Sequence, residues 1–120
     1  MDTEYNGLIV FLGTQDLEAT ARFYSGILGL KLYRDQEVCR IYDIPGGGRL
    51  GFCTHLPANP GERCPIITLL AEDVDGVYAR LCQNGITPSH PPMENPRFGI
   101  YHFFVRDSNG YLLGIQRFLD

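Results

Sequence analysis

No apolar run in this chain approaches the roughly 18 residues that a membrane-spanning helix needs, so the sequence predicts no transmembrane segment. Basic side chains are also in short supply. The 10 Lys and Arg residues against 14 Asp and Glu leave a net charge of -4, which supplies no electrostatic footprint for a phosphate backbone. Neither nucleic acid nor a membrane is therefore expected as a partner. The four cysteines, Cys39, Cys53, Cys64 and Cys82, lack Cys-x-x-Cys spacing, so neither a zinc knuckle nor a redox dithiol is signalled. Reduced thiols, mostly buried as small hydrophobes, are the expectation. The opening Met1-Asp2-Thr3-Glu4 is acidic where a signal peptide would be basic, and the expected location is cytoplasmic.

What is present is the composition of an ordinary globular protein, with 44% hydrophobic and 20% charged residues, which excludes a disordered or fibrous chain. One domain covering residues 1–120 would bury about two-thirds of its unfolded surface. Leu8 to Leu12 is wholly apolar and predicts a strand covered on both faces. From Asp16 the period becomes helical through Leu17, Ala21, Tyr24 and Leu28, with Asp16 as N-cap and Gly29 as the left-handed residue that ends the helix. Strand-like segments follow at 30–34, 38–44 and 49–54, the last two joined by Pro45-Gly46-Gly47-Gly48.

The second half repeats the first. An offset of 57 positions superposes Asp16 on Asp73, Leu17 on Val74 and Ile9 on Ile66. A strand at 65–71 precedes a helix capped by Asp73 and closed by Asn84-Gly85, and strands are expected at 86–90, 100–106 and 112–118. A proline-rich loop spans 91–99, and Asp107-Ser108-Asn109-Gly110 makes the turn of a final β-hairpin, with Asn109 and Gly110 suited to positive φ. The organisation is β-α-β-β-β twice: module 1 over about 5–55, a linker over about 56–64, and module 2 over about 65–120.

With Gln15 to Tyr24 and Leu28-Gly29-Leu30, Glu72-Asp73-Val74-Asp75 and Asn84-Gly85-Ile86, and Arg106 to Leu113, the chain resembles the vicinal oxygen chelate superfamily. That family includes glyoxalases, bleomycin-resistance and fosfomycin-resistance proteins and extradiol dioxygenases. The resemblance implies an α+β fold of two βαβββ modules, forming curved mixed sheets around a cavity with helices outside, and a homodimer. It also implies, for catalytic members, a divalent metal held by side chains on the first and last strands of each module.

Matched residue by residue, the first-strand ligand positions are Ile9 and Ile66, neither of which can bind a metal. The final-strand carboxylate of module 2 is replaced by Gly114, and the fourth position falls near Phe52 or Cys53. No metal, cofactor or catalytic residue is therefore expected, and catalysis of the usual metal-dependent type is not anticipated.

The expected function is a metal-free small-molecule-binding protein of the glyoxalase/bleomycin-resistance type, holding a drug or metabolite in the cavity of a homodimer. The alternative is a lyase, isomerase or dioxygenase with non-standard ligands for Zn, Ni, Mn or Fe, to which His55, His90 and His102 would be the available imidazoles. Strand alternation puts Arg40 with Tyr42, His102 with Phe104, and Gln116 with Gly114, and these, together with Cys53, are the ligand-binding candidates. Arg40 offers a planar fork for an anion and His102 a base of near-neutral pKa. Phe11 and Thr68 should share faces with Ile9 and Ile66, filling the place of the metal, and the gap at Gly114 would open room for a ligand. The negative net charge favours a cationic ligand, whereas Arg40 and Arg49 favour an anionic one.

Overall fold

The computed structural model describes residues 7–61 and 64–120. The acidic residues 1–4, the expected start of module 1 at residue 5, and residues 62 and 63 of the expected linker lie outside the described residues. The chain divides into two compact units, 1–59 and 60–120, each carrying one copy of the repeat.

In the first unit β1 (Ile9–Gly13) is followed by α1 (Leu17–Ala21), a π-helical turn (Arg22–Ile27), and the strands β2 (Lys31–Asp35), β3 (Cys39–Asp43) and β4 (Arg49–Cys53). The Asp16 side chain accepts from the Ala19 N–H at 3.0 Å, satisfying one of the donors that a helix start leaves unpaired. At the other end the Leu28 N–H reaches back five residues to the Phe23 carbonyl, and Gly29 adopts φ 79°, as its place after the helix demands. Two antiparallel hairpins lay β2, β3 and β4 side by side, and β1 joins parallel to β4, giving the order β1-β4-β3-β2.

The helix covers one face of this sheet. Tyr24 lies against Phe52 with ring centroids 4.7 Å apart and beside Tyr42, and Leu12 and Leu50 are buried on the same side. Full burial of side chains of this size is worth about 2–3 kcal/mol each. The strand expected to be covered on both faces is covered on one: Phe11 is 48% exposed, because β1 is an edge strand and α1 shields only the face of Leu12.

The second unit repeats the plan with β5 (Ile67–Leu70), α2 (Val74–Gln83), β6 (Met93–Asn95), β7 (Ile100–Arg106) and β8 (Leu112–Phe118), in the order β5-β8-β7-β6. Asp73 accepts from the Gly76 N–H at 2.9 Å, and Gly85 closes the helix at φ 79°. Tyr78 packs edge-on against Phe103 at 5.3 Å, and Val74, Leu81, Val105, Leu113 and Ile115 fill the space beneath α2. The turn after β7 is organised by the Asp107 carboxylate, which accepts from the N–H groups of Asn109 and Tyr111 at 2.8 Å each. Of its two suggested left-handed residues, only Gly110 has positive φ.

One strand is displaced from its expected place. Residues 86–90 are irregular, with a ladder-like bond from the Ser89 N–H to the Phe104 carbonyl, and the strand between α2 and β7 is Met93–Asn95, inside the segment expected to be loop. Pro88, Pro91 and Pro92 have no N–H to give to a ladder, whereas an edge strand needs pairing on one side only.

Two side-chain tests of this architecture follow. A Cβ on Gly13 would sit 2.1 Å from the Pro57 carbonyl oxygen, so Gly13→Ala should destabilise the fold by about 3 kcal/mol, read as a lowered urea midpoint. Asp73→Ala removes the α2 cap without touching the core and should cost about 1 kcal/mol in the same measurement.

Candidate functional site

Strand pairing assigns every side chain to a face. In the first unit Phe11 is opposite Gly51, Gly51 is opposite Ile41, and Cys39 is opposite Cys53, so Ile9, Phe11, Gly51, Cys53, Cys39 and Ile41 share the face that α1 does not cover. Arg40, Tyr42 and Phe52 share the helix-covered face. Two of the sequence-derived candidates, Arg40 and Tyr42, therefore lie on the helix-covered side. Arg40 donates to Glu18 of α1 at 2.9 Å and lies 3.7 Å from Asp35, and the hydrogen bond from Arg40 holds the Glu18 carboxyl below the usual range. Tyr42 is buried beneath the helix, its hydroxyl without a hydrogen-bond partner and its pKa pushed up by burial. Alternation along β3 told correctly that Arg40 and Tyr42 share a face, but only the position of α1 decides which face that is.

The uncovered face of the first unit forms a pocket of about 560 Å³ lined by Phe11, Gln36, Val38, Cys39, Cys53, His55 and Leu56. Cys39 and Cys53 make its floor and cluster with Ile41, with Ile9 and Leu56 packed against the three. Cys53, a sequence candidate, belongs to this pocket. Burial, and then a hydrogen bond with Cys39, push its thiol up to about 12, which makes it a poor nucleophile at neutral pH. Phe11 forms a wall, its ring lying across Gly51 where a Cβ would approach it to 2.5 Å. Gln36, Val38 and Cys39 were missed as site residues because they belong to the β2–β3 turn and its exit, which alternation alone does not orient.

On the second unit the same pairing brings His102, Phe104, Gly114 and Gln116 together with Thr68, since Phe104 and Thr68 both face Gly114 and His102 faces Gln116. His90 joins them from the irregular segment, 5.5 Å from His102 and 6.0 Å from Phe104 between ring centroids, while His102 and Phe104 are 5.1 Å apart. His90 Nδ1 is 2.8 Å from the Pro91 carbonyl, which fixes that nitrogen as the donor. His102 is 7% exposed, and burial, with the neighbouring His90 adding to it, lowers its pKa. The room expected over Gly114 is filled: a Cβ there would meet Thr68 Oγ1 at 3.3 Å and the Phe104 ring at 3.4 Å. A second pocket of about 470 Å³, beside Ile66, Arg106 and Leu112, also belongs to this unit.

The register also bears on the fourth position, which the sequence places near Phe52 or Cys53. Gly114 pairs with Thr68, Gly51 pairs with Phe11, and Thr68 and Phe11 are equivalent under the repeat, so the counterpart of Gly114 is Gly51. Ile9, Gly51, Ile66 and Gly114 offer no donor atom from their side chains. Among the described residues no three His, Cys, Asp or Glu side chains converge as a metal-binding group. The residues present do not fit the family's metal.

The two arginines that suggested an anionic ligand are engaged elsewhere: Arg40 with Glu18 and Asp35, and Arg49 with Asp43 at 3.2 Å and over the Tyr33 ring at 3.8 Å. The lowered pKa of His102 carries a sign that can be measured. Its imidazole binds fewer protons folded than unfolded, so its contribution to stability is intact above the ordinary value of 6.5 and is lost as pH falls toward the folded value. Replacing His102 by Gln should flatten the loss of stability below that pH, measured by urea unfolding at a series of pH values.

The sequence matches the model of the glyoxalase/bleomycin resistance protein/dioxygenase superfamily over residues 8–115. A sequence comparison with curated proteins finds no match. Among solved structures the chain is similar to a glyoxalase/bleomycin resistance protein/dioxygenase from Alicyclobacillus acidocaldarius, at 20% identity and TM-score 0.78, covering 100% of this chain and 96% of that one. It is similar to TioX from Micromonospora sp. ML1, at 23% identity and TM-score 0.78, covering 94% and 98%. A glyoxalase/dioxygenase from Nostoc punctiforme gives 20% identity and TM-score 0.79, covering 96% and 92%. Two β-α-β-β-β units and a family match spanning nearly all of the sequence lead to one conclusion: the chain belongs to the glyoxalase/bleomycin resistance protein/dioxygenase superfamily.

Proposed function

We propose that this protein binds a small molecule without a metal, acting as a homodimeric binding protein of the bleomycin-resistance type. The observation that carries this reading is that Ile9, Gly51, Ile66 and Gly114, taken as the family's four ligand positions, offer no donor atom, and that the rings of Phe11 and Phe104 overlie the two glycines. Aromatic surface stands where a hard cation would need oxygen or nitrogen donors.

The pocket of the first unit sets the ligand chemistry. Its wall and floor are apolar and aromatic, with Gln36 and His55 as the polar groups that could orient a bound molecule. With Arg40 and Arg49 both paired to carboxylates, nothing in the pocket calls for an anion. The ligand class is therefore an uncharged, flat, largely apolar molecule stacked on Phe11.

A thermal-shift screen tests this, because a ligand that binds only the native state stabilises it by about 2.7 kcal/mol at one hundred times Kd. Planar aromatic compounds should raise Tm by several degrees, and Phe11→Ala should weaken the best of them about tenfold while leaving the fold intact. If no such compound stabilises the protein, or if Phe11→Ala binds as tightly as the parent, the assignment to this pocket fails.

A further inference from the structure

Cys39 and Cys53 face each other across the two central strands of the first sheet, β3 and β4. The hydrogen bonds around them define the kind of pair they make. The Thr54 N–H donates to the Val38 carbonyl at 2.8 Å and the Ile44 N–H to the Gly48 carbonyl at 3.0 Å, so hydrogen-bonded pairs alternate along the ladder through 38/54, 40/52, 42/50 and 44/48 and leave Cys39 opposite Cys53 between two of them. That is the non-hydrogen-bonded site of an antiparallel ladder, where opposed Cα atoms approach to about 4.5 Å and side chains are closest. The separation lies at the short end of the range of about 4.4 to 6.8 Å that a disulfide spans. Both thiols point the same way, onto the floor of the pocket that Phe11 walls, and both are free.

We propose that Cys39 and Cys53 form a reversible cross-strand disulfide, making the pocket floor a site of thiol–disulfide modification. The oxidant is a low-molecular-weight disulfide, RSSR, reaching the pair through the pocket. One protein thiol loses its proton and attacks one sulfur of RSSR, which breaks the S–S bond of RSSR, forms a protein–S–S–R mixed disulfide and releases the first RS⁻ to take up that proton. The second protein thiol then attacks the protein sulfur of the mixed disulfide. The Cys39–Cys53 bond forms, the second RS⁻ leaves with the second proton, and two electrons have passed from the protein to RSSR, now two RSH.

Two features shape the behaviour of this pair. A disulfide whose sulfurs open onto a pocket can be reached by a small thiol, which favours reversibility. The thiols are almost wholly buried, and the thiol of Cys53 is held protonated, so exchange is slow. Cys64 and Cys82 are the more accessible thiols and would take RSSR first as simple mixed disulfides. Once closed, the pair offers the pocket no S–H donor. The inference stands independently of whether a ligand is found there.

The test uses the full chain carrying Cys64→Ser and Cys82→Ser, which leaves only the two opposed thiols. It is equilibrated in cystamine/cysteamine buffers of graded ratio, starting both from reduced protein and from protein refolded under oxidising conditions, so that slow access is not mistaken for absence of the bond. Alkylation under denaturing conditions and intact mass then give the outcome. Closure appears as loss of both alkylatable thiols with loss of two hydrogen atoms from the mass, at the same ratio from either direction and reversed by excess cysteamine. Adding Cys39→Ser, or separately Cys53→Ser, should abolish closure while circular dichroism shows the fold retained. Two free thiols at every ratio from both starting points, or two added cysteamine groups in place of the internal bond, would overturn the proposal.

Discussion

In each unit the first strand pairs in parallel with the last, β1 with β4 and β5 with β8, and this pairing determines what the uncovered sheet faces present. Parallel neighbours need a crossover, and the helix that makes it packs on one side only, burying Tyr24, Tyr42 and Phe52 in one unit and Phe103, Val105 and Leu113 in the other. The opposite face is left to whatever the registers place there. They set Gly51 beside Phe11 and Gly114 beside Thr68 and Phe104, so a ring comes to lie over each glycine. Neither glycine accepts a Cβ without moving a neighbour, which ties the identity of these residues to the rings above them.

Much of the fold was legible because its signals are local. Asp16 and Asp73 cap helices through side-chain bonds to the N–H three residues on, and Gly29 and Gly85 end them at positive φ; each is a one-turn effect that the residue types announce. The internal repeat was equally visible, since an offset of 57 positions aligns the caps and the strand cores together. The strand at Met93–Asn95 was not, because three residues between Pro92 and Pro96 carry no period of their own and are recruited by pairing with β7.

The site was less legible for a related reason. A period of two tells which residues share a face but not which face a helix will cover. Arg40 and Tyr42 do share a face, and it is the helix-covered one, where Glu18 and Tyr24 engage them. The pairs His102 with Phe104 and Gln116 with Gly114 come together through the β7–β8 register, with His90 added by a segment whose path no alternation predicts. The counterpart of Gly114 in the first unit depends on the β1–β4 register, a long-range property, which points to Gly51 rather than to Phe52 or Cys53.

The account rests on the claim that a member of a superfamily with metalloenzymes in it handles its ligand without the metal. Elemental analysis of the purified protein, with Tm followed during titration of Ni, Zn, Mn and Fe(II), tests this most directly. The account predicts substoichiometric metal and no stabilisation by any of the four ions. One equivalent of tightly held metal per chain, whose removal by a chelator lowers Tm, would contradict it.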